Sequence, residues 1–202
     1  MTTRLIFPLL AALMGGGFLW QATDGLRAIT AEEARRISVA ENPRPVPEVY
    51  LEAMDGTTVS MLPQKDETVL VEFIYTSCGD ICQVAAFDFS EIRDQLASQN
   101  ADVRMISISF DPEQDTPDRL TYYGEAHNAD GTVWTVARPL SVSGGKTLPD
   151  LLELFGVTVI ANEWGGFEHN TAIHLIDGNG QFSRVFDTDD VDQVIATVLE
   201  RS

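Results

Sequence analysis

The stretch Val69–Gln83, VLVEFIYTSCGDICQ, decides how the rest of the chain is read. Its first half is an apolar, β-branched run of Val69, Leu70, Val71, Phe73 and Ile74, broken only by Glu72. Such a run has the composition of a strand buried on both faces at the centre of a sheet. Tyr75-Thr76-Ser77 ends it, and the chain's two cysteines follow, Cys78 and Cys82, on either side of Gly79-Asp80-Ile81. Beyond them Ile81, Val84, Ala85, Phe89, Ile92 and Leu96 recur at helical spacing, so the segment reads as strand, short turn, helix. Cysteines at i and i+4 at the start of a helix share one face. There the uncapped backbone N–H groups and the helix dipole favour thiolate over thiol. Two thiolates held that way can close a disulfide or grip a soft metal ion. A CxxC pair would read as a thiol redox motif, and the extra residue here widens the bite towards a metal. Two buried core cysteines are the bland alternative, and free cysteine does pack like a small hydrophobe. A structural bridge over so short a loop would add little chain-entropy stabilisation, which favours a chemical purpose.

Outward from that centre, the 202 residues suit one domain and an N-terminal appendage. Arg4 precedes the apolar run Leu5–Trp20, a signal-peptide core or a short membrane anchor. No small-residue cleavage site follows it at Trp20-Gln21-Ala22-Thr23, so an uncleaved anchor with an exported, periplasmic or equivalent domain is the expectation. Thr30 and Glu33 form a capping box opening a helix that reaches about Ala40. Asn42-Pro43-Arg44-Pro45-Val46-Pro47 then reads as a stiff spacer. The expected division is residues 1–23 as signal or anchor, 24–47 as juxtamembrane helix and linker, and 48–202 as the folded domain.

Within that domain a hairpin turns at Asp55-Gly56, ahead of the strand–helix unit. Val103–Phe110 and 133–137 read as further strands. Helices are expected from Pro117, behind Thr116, and over Leu148–Phe155, with Gly156 as its stop. His169–Asp177 and 181–187 read as a hairpin across Gly178-Asn179-Gly180, and Asp190–Glu200 as a closing amphipathic helix. The order is that of an α/β, thioredoxin-like fold with an N-terminal β-hairpin and a C-terminal hairpin plus helix.

The formal net charge is −18, and residues from 47 onward carry −19 of it, with 8 basic residues against 27 acidic. So acidic a surface argues against nucleic acid and anionic lipid as partners. Histidine is scarce: His127, His169 and His174 are the only three. His127, at a helix end, reads as a solvated side chain. His169 and His174 lie five residues apart on what reads as one strand, and odd spacing puts them on opposite faces. His169, at the strand entrance behind Trp164-Gly165-Gly166-Phe167-Glu168, is the better placed to meet the cysteines, and His174 reads as packing. Two thiolates and one imidazole make a soft set suited to copper, whereas structural zinc takes a fourth protein ligand.

Three stretches together resemble the Sco/SenC family: Phe73–Cys82, FIYTSCGDIC; Asp111–Pro117, DPEQDTP; and Glu168–Leu175, EHNTAIHL. The resemblance spans about residues 46–202. It implies a membrane-anchored, thioredoxin-like copper chaperone for cytochrome c oxidase assembly, with copper on Cys78, Cys82 and His169. The implied partner is the CuA-bearing subunit or a related respiratory copper enzyme. Gly79 and Gln83 stand where the family pattern has prolines, and Glu168 where it has aspartate. The alternative is a membrane-anchored thiol–disulfide oxidoreductase in which Cys78 and Cys82 are the catalytic pair, acting on cysteines of a copper-protein partner. The DPEQDTP stretch reads either as a helix cap or as a partner-docking element.

Overall fold

The computed structural model describes residues 13–201 except 19, 22, 24, 26, 29, 66 and 164. It divides into a short unit ending at Asn42 and a larger one, Pro43–Ser202. Much of the apolar run expected as an anchor lies outside the described residues. Among those described, no helix is long and apolar enough to cross a membrane. In the first unit α1 spans Ala31–Glu41 and starts as its sequence dictates. Thr30 Oγ1 accepts from the Glu33 amide at 3.1 Å, and the Glu33 carboxylate accepts from the Thr30 amide at 2.9 Å.

The second unit runs β1 (Arg44–Pro45), β2 (Val49–Ala53), β3 (Thr58–Ser60), β4 (Thr68–Ile74), α2 (Asp80–Ser98), β5 (Val103–Ser109) and α3 (Pro117–His127). It continues with β6 (Trp134–Val142), α4 (Leu148–Phe155), β7 (Val159–Ala161), β8 (Phe167–His169), β9 (Ile173–Ile176), β10 (Gln181–Phe186) and α5 (Val191–Leu199). One mixed sheet holds the strands in the order β1-β10-β9-β4-β5-β6-β2-β3. All seven residues of β4 are buried, with β5 parallel on one side and β9 antiparallel on the other.

Alternation along β4 sorts the layers. Leu70 packs with Phe89, Ile92 and Leu96 of α2 and Val194 and Val198 of α5, and Ile74 with Leu120 and Tyr123 of α3. Phe73 points the other way, its ring centroid 5.3 Å from that of Phe155 in α4. Three helices therefore cover one face and α4 the other, and the cysteine turn leaves the C-terminal end of the central strand.

Two expectations change. The proline stretch is not purely a spacer, because Arg44 and Pro45 pair with Phe182 and Gln181 at the sheet edge. An edge strand tolerates proline, since one side of it needs no ladder donors. His169 and His174, secondly, do not share a strand. His169 ends β8, which among the described residues pairs only with β7, in a separate two-stranded sheet, while His174 lies in β9. Asn170 causes the break: its side chain accepts from the Thr158 amide at 2.7 Å and donates to Gly156 O at 3.0 Å. A side chain that satisfies neighbouring backbone in this way takes the chain out of the ladder.

Candidate thiol and metal centre

Ile74 is the last ladder residue of β4, and the next five residues carry the chain into α2. Tyr75 is buried, Thr76 and Ser77 turn, and the Cys78 amide closes the turn on Tyr75 O at 3.2 Å. Cys78 is half-buried and disulfide-bonded, and Cys82, in the first turn of α2, is the chain's only other cysteine. Gly79, the N-cap, gives α2 no side-chain cap. The first-turn amides are thus left to face whatever charge the sulfurs carry once reduced. Gly79 has φ −80°, and a Cβ there would meet no atom within 4 Å. That φ lies within the range a proline would impose.

His169 reaches the same end of the sheet by a different route. Tyr75 holds β8 with its hydroxyl, which donates to Phe167 O at 3.2 Å and accepts from the Phe167 amide at 3.3 Å. The His169 ring stands edge-on to Phe110 at 4.9 Å and to Tyr75 at 6.1 Å. It also borders a cavity of about 10 Å³, room for one water at most, together with Glu72, Ile74 and Ala85. Burial lowers the pKa of His169, which favours the neutral imidazole. Its Nδ1 lies 3.3 Å from Asn170 O, so Nδ1 carries the proton and Nε2 the lone pair. That is the form in which imidazole binds a metal.

The other histidines are accounted for elsewhere. His174 is 1% exposed, caged by Phe73, Phe155 and Phe182, with Nδ1 3.2 Å from Val71 O. It packs, as expected, though for a reason other than strand parity. His127 is not a plain solvated side chain. Its ring lies 4.4 Å from that of Tyr123, Nε2 is buried with no hydrogen-bond partner among the described residues, and burial lowers its pKa. Among the described residues no three His, Cys, Asp or Glu side chains already converge as a metal site. Sulfur tied up in a disulfide is a poor ligand, so a metal would have to follow reduction.

The SCO1/SenC family model matches residues 46–202, nearly the whole of the sheet-bearing unit. The chain belongs to the SCO1/SenC family. It is 41% identical over 66 residues to the SCO1 protein homolog of Bacillus subtilis (strain 168), a match covering 33% of this chain and 34% of that protein. The matched stretch thus spans about a third of that relative's length. Among solved structures it is similar to BsSco, a member of the Sco family of cytochrome c oxidase assembly proteins in which a disulfide switch was identified. The TM-score is 0.66 at 24% identity, over 79% of this chain and 94% of that one. Arabidopsis thaliana ScoI, solved with copper bound, gives 0.62 at 19% identity over 76% and 95%. At these identities the structural likeness establishes the fold, α/β and thioredoxin-like.

Two acidic groups in this SCO1/SenC chain escaped the sequence reading. Asp115, 1% exposed, is neither an exposed docking element nor a helix cap. Its carboxylate accepts from the Thr76 amide at 3.0 Å, the Thr76 hydroxyl and the Ser109 hydroxyl. Glu72 lies 3% exposed under α2, where it accepts from the Ser107 hydroxyl, and Ser107 in turn accepts from Trp134 Nε1 at 2.9 Å. Burial raises its pKa to about 8, so it is mostly protonated at pH 7. The signal for Glu72 was present in its place as the one charge in a buried strand.

Proposed function

We propose that this chain is a copper chaperone. It holds copper as cargo on the Cys78 and Cys82 thiolates and the His169 imidazole, and passes it to the CuA site of cytochrome c oxidase or a related respiratory copper enzyme. The observation that carries the reading is the placing of a half-buried imidazole against Tyr75, three residues before Cys78. Reducing the Cys78 disulfide frees two soft sulfur donors, one just before a helix and one in its first turn, a set that suits copper better than harder or four-ligand ions. Residues 1–23 would anchor the chain to a membrane, 24–47 would connect, and 48–202 would work in the exported compartment. The acidic surface suits a protein partner rather than nucleic acid.

The disulfide at Cys78 favours a second reading, thiol–disulfide exchange with a partner. There the dithiol would attack the partner's disulfide, both electrons and both protons passing to the partner while Cys78 and Cys82 re-form their bond. One pair of variants separates the two. Under the chaperone reading His169→Ala weakens copper binding at least tenfold in competition against a Cu(I) chelator, while His174→Phe, filling an aromatic cage, leaves it within about twofold. Equal affinities for wild type and His169→Ala, with the disulfide still exchanging, would transfer the assignment to the oxidoreductase.

A further inference from the structure

We propose that Asp115 is a positioning residue that sets the conformation of the cysteine loop. The proposal deepens the reading of Cys78 as a working sulfur and rests on it. Asp115 belongs to the loop between β5 and α3, whereas Thr76 follows β4, so the carboxylate joins the ends of two neighbouring strands. Both of its oxygens are used: Oδ1 takes the Thr76 hydroxyl, and Oδ2 takes the Thr76 amide and the Ser109 hydroxyl. None of its side-chain acceptors is used on the first-turn amides of α3, and Thr116 makes no side-chain cap either. A capping role is therefore not what this side chain performs.

The post that carries Asp115 is itself fixed. Its amide donates to Asp111 O at 2.9 Å, the Asp111 amide donates to Ser109 Oγ at 3.0 Å, and Arg138 donates to Pro112 O at 2.9 Å. Among the described residues no ion pair holds the Asp115 carboxylate, so burying it is offset by hydrogen bonds from neutral donors, most of them from Thr76. Hydrogen bonds to a buried carboxylate are among the strongest a loop can make. Two of them converge on one residue, and they fix its backbone and its χ1 together. Thr76 stands two residues before Cys78, and Gly79 follows Cys78 with no Cβ of its own. The direction in which the Cys78 side chain leaves the backbone is therefore set from the Asp115 side. A held loop raises the effective concentration of one sulfur at the other, and of both at a metal.

The test is redox equilibration of the full chain with glutathione. One chain disulfide and two glutathione thiols give the dithiol and one glutathione disulfide, and the mixture is trapped and quantified with thermal midpoints measured alongside. Asp115→Ala should lower the equilibrium constant for closing the disulfide about tenfold, which for a two-electron couple raises the reduction potential by about 30 mV. Asp115→Asn should recover most of that, since its carbonyl can take the amide and Ser109 while its NH₂ donates to Thr76 Oγ1. Thr76→Val, a milder change, should move the constant about threefold in the same direction, and it carries the test should Asp115→Ala fail to fold. Val194→Ala, on the core face of α5 against Leu70 and α2, should lower the thermal midpoint and leave the constant alone. Wild-type constants in both Asp115→Ala and Thr76→Val, or Asp115→Asn behaving like Asp115→Ala, would overturn the proposal. The constant is defined whether or not copper binds, so a chain that takes no copper would defeat the chaperone reading and leave this outcome separately decided.

Discussion

Cys78→Ser or Cys82→Ser should each lower the copper affinity of the reduced chain by more than a hundredfold, on the order of 3 kcal/mol. A serine hydroxyl stays protonated at neutral pH and is a hard donor, so either change leaves one thiolate and one imidazole where copper is read to need both sulfurs. No other cysteine can substitute, because the chain has two. Oxidation should have the same effect without a mutation. The disulfide at Cys78 removes both thiolates, and treatment with a mild oxidant should release bound copper in step with thiol loss. Competition against a Cu(I) chelator and a thiol count on the same samples measure both effects. Either serine variant binding copper with wild-type affinity would remove that cysteine from the site.

Glu72→Gln should stabilise the fold at pH 8 by on the order of 3 kcal/mol and leave it almost unchanged at pH 4. The carboxyl is buried beneath α2 with the Ser107 hydroxyl as its hydrogen-bond donor, and its pKa rises from 4.5 to about 8. Below about pH 4.5 folded and unfolded chains both keep the proton. Between 4.5 and 8 the unfolded chain has lost it and the folded chain retains it. Stability from this group therefore falls as pH rises through that window, by at most about 1.4 kcal/mol per pH unit, and levels off above it. Glutamine keeps an acceptor for Ser107 and carries no proton to lose. His127 and His169, whose pKa values burial lowers, contribute slopes of their own below neutrality, and they cancel in the difference between variant and wild type. Urea melts of both proteins from pH 4 to 9 give the difference directly, and a gap that stays constant with pH would show that Glu72 is not held protonated.

Much of the fold was legible because local signals agreed with tertiary need. The apolar run at Val69–Ile74 became the fully buried central strand, the Thr30–Glu33 box opened α1, and Gly156 stopped α4 in the left-handed conformation at φ 68°. Cys78 and Cys82 could be placed at a strand-to-helix turn from periodicity alone. What could not be read depended on where a polar side chain spends its hydrogen bonds. Asn170 spends its side chain on the Thr158 amide and Gly156 O where β8 ends, which divided one expected strand into two and left the parity argument for His169 without its basis. The stretch around Asp115 read as a helix cap or a docking element, yet the Asp115 carboxylate is spent on Ser109 and, 39 residues back, on Thr76. Arg44 and Pro45 became an edge strand because β10, nearly 140 residues later, offers them a ladder. Long-range partners of this kind leave no trace in local spacing.

X-ray absorption at the copper edge of the reduced, copper-loaded full chain tests the central claim most directly, because it counts the atoms around the metal. The account predicts two sulfur scatterers and one imidazole nitrogen at about one copper per chain, with the imidazole signal lost in His169→Ala and kept in His174→Phe. A shell of oxygen or nitrogen without sulfur, or an imidazole signal that survives His169→Ala, would contradict it.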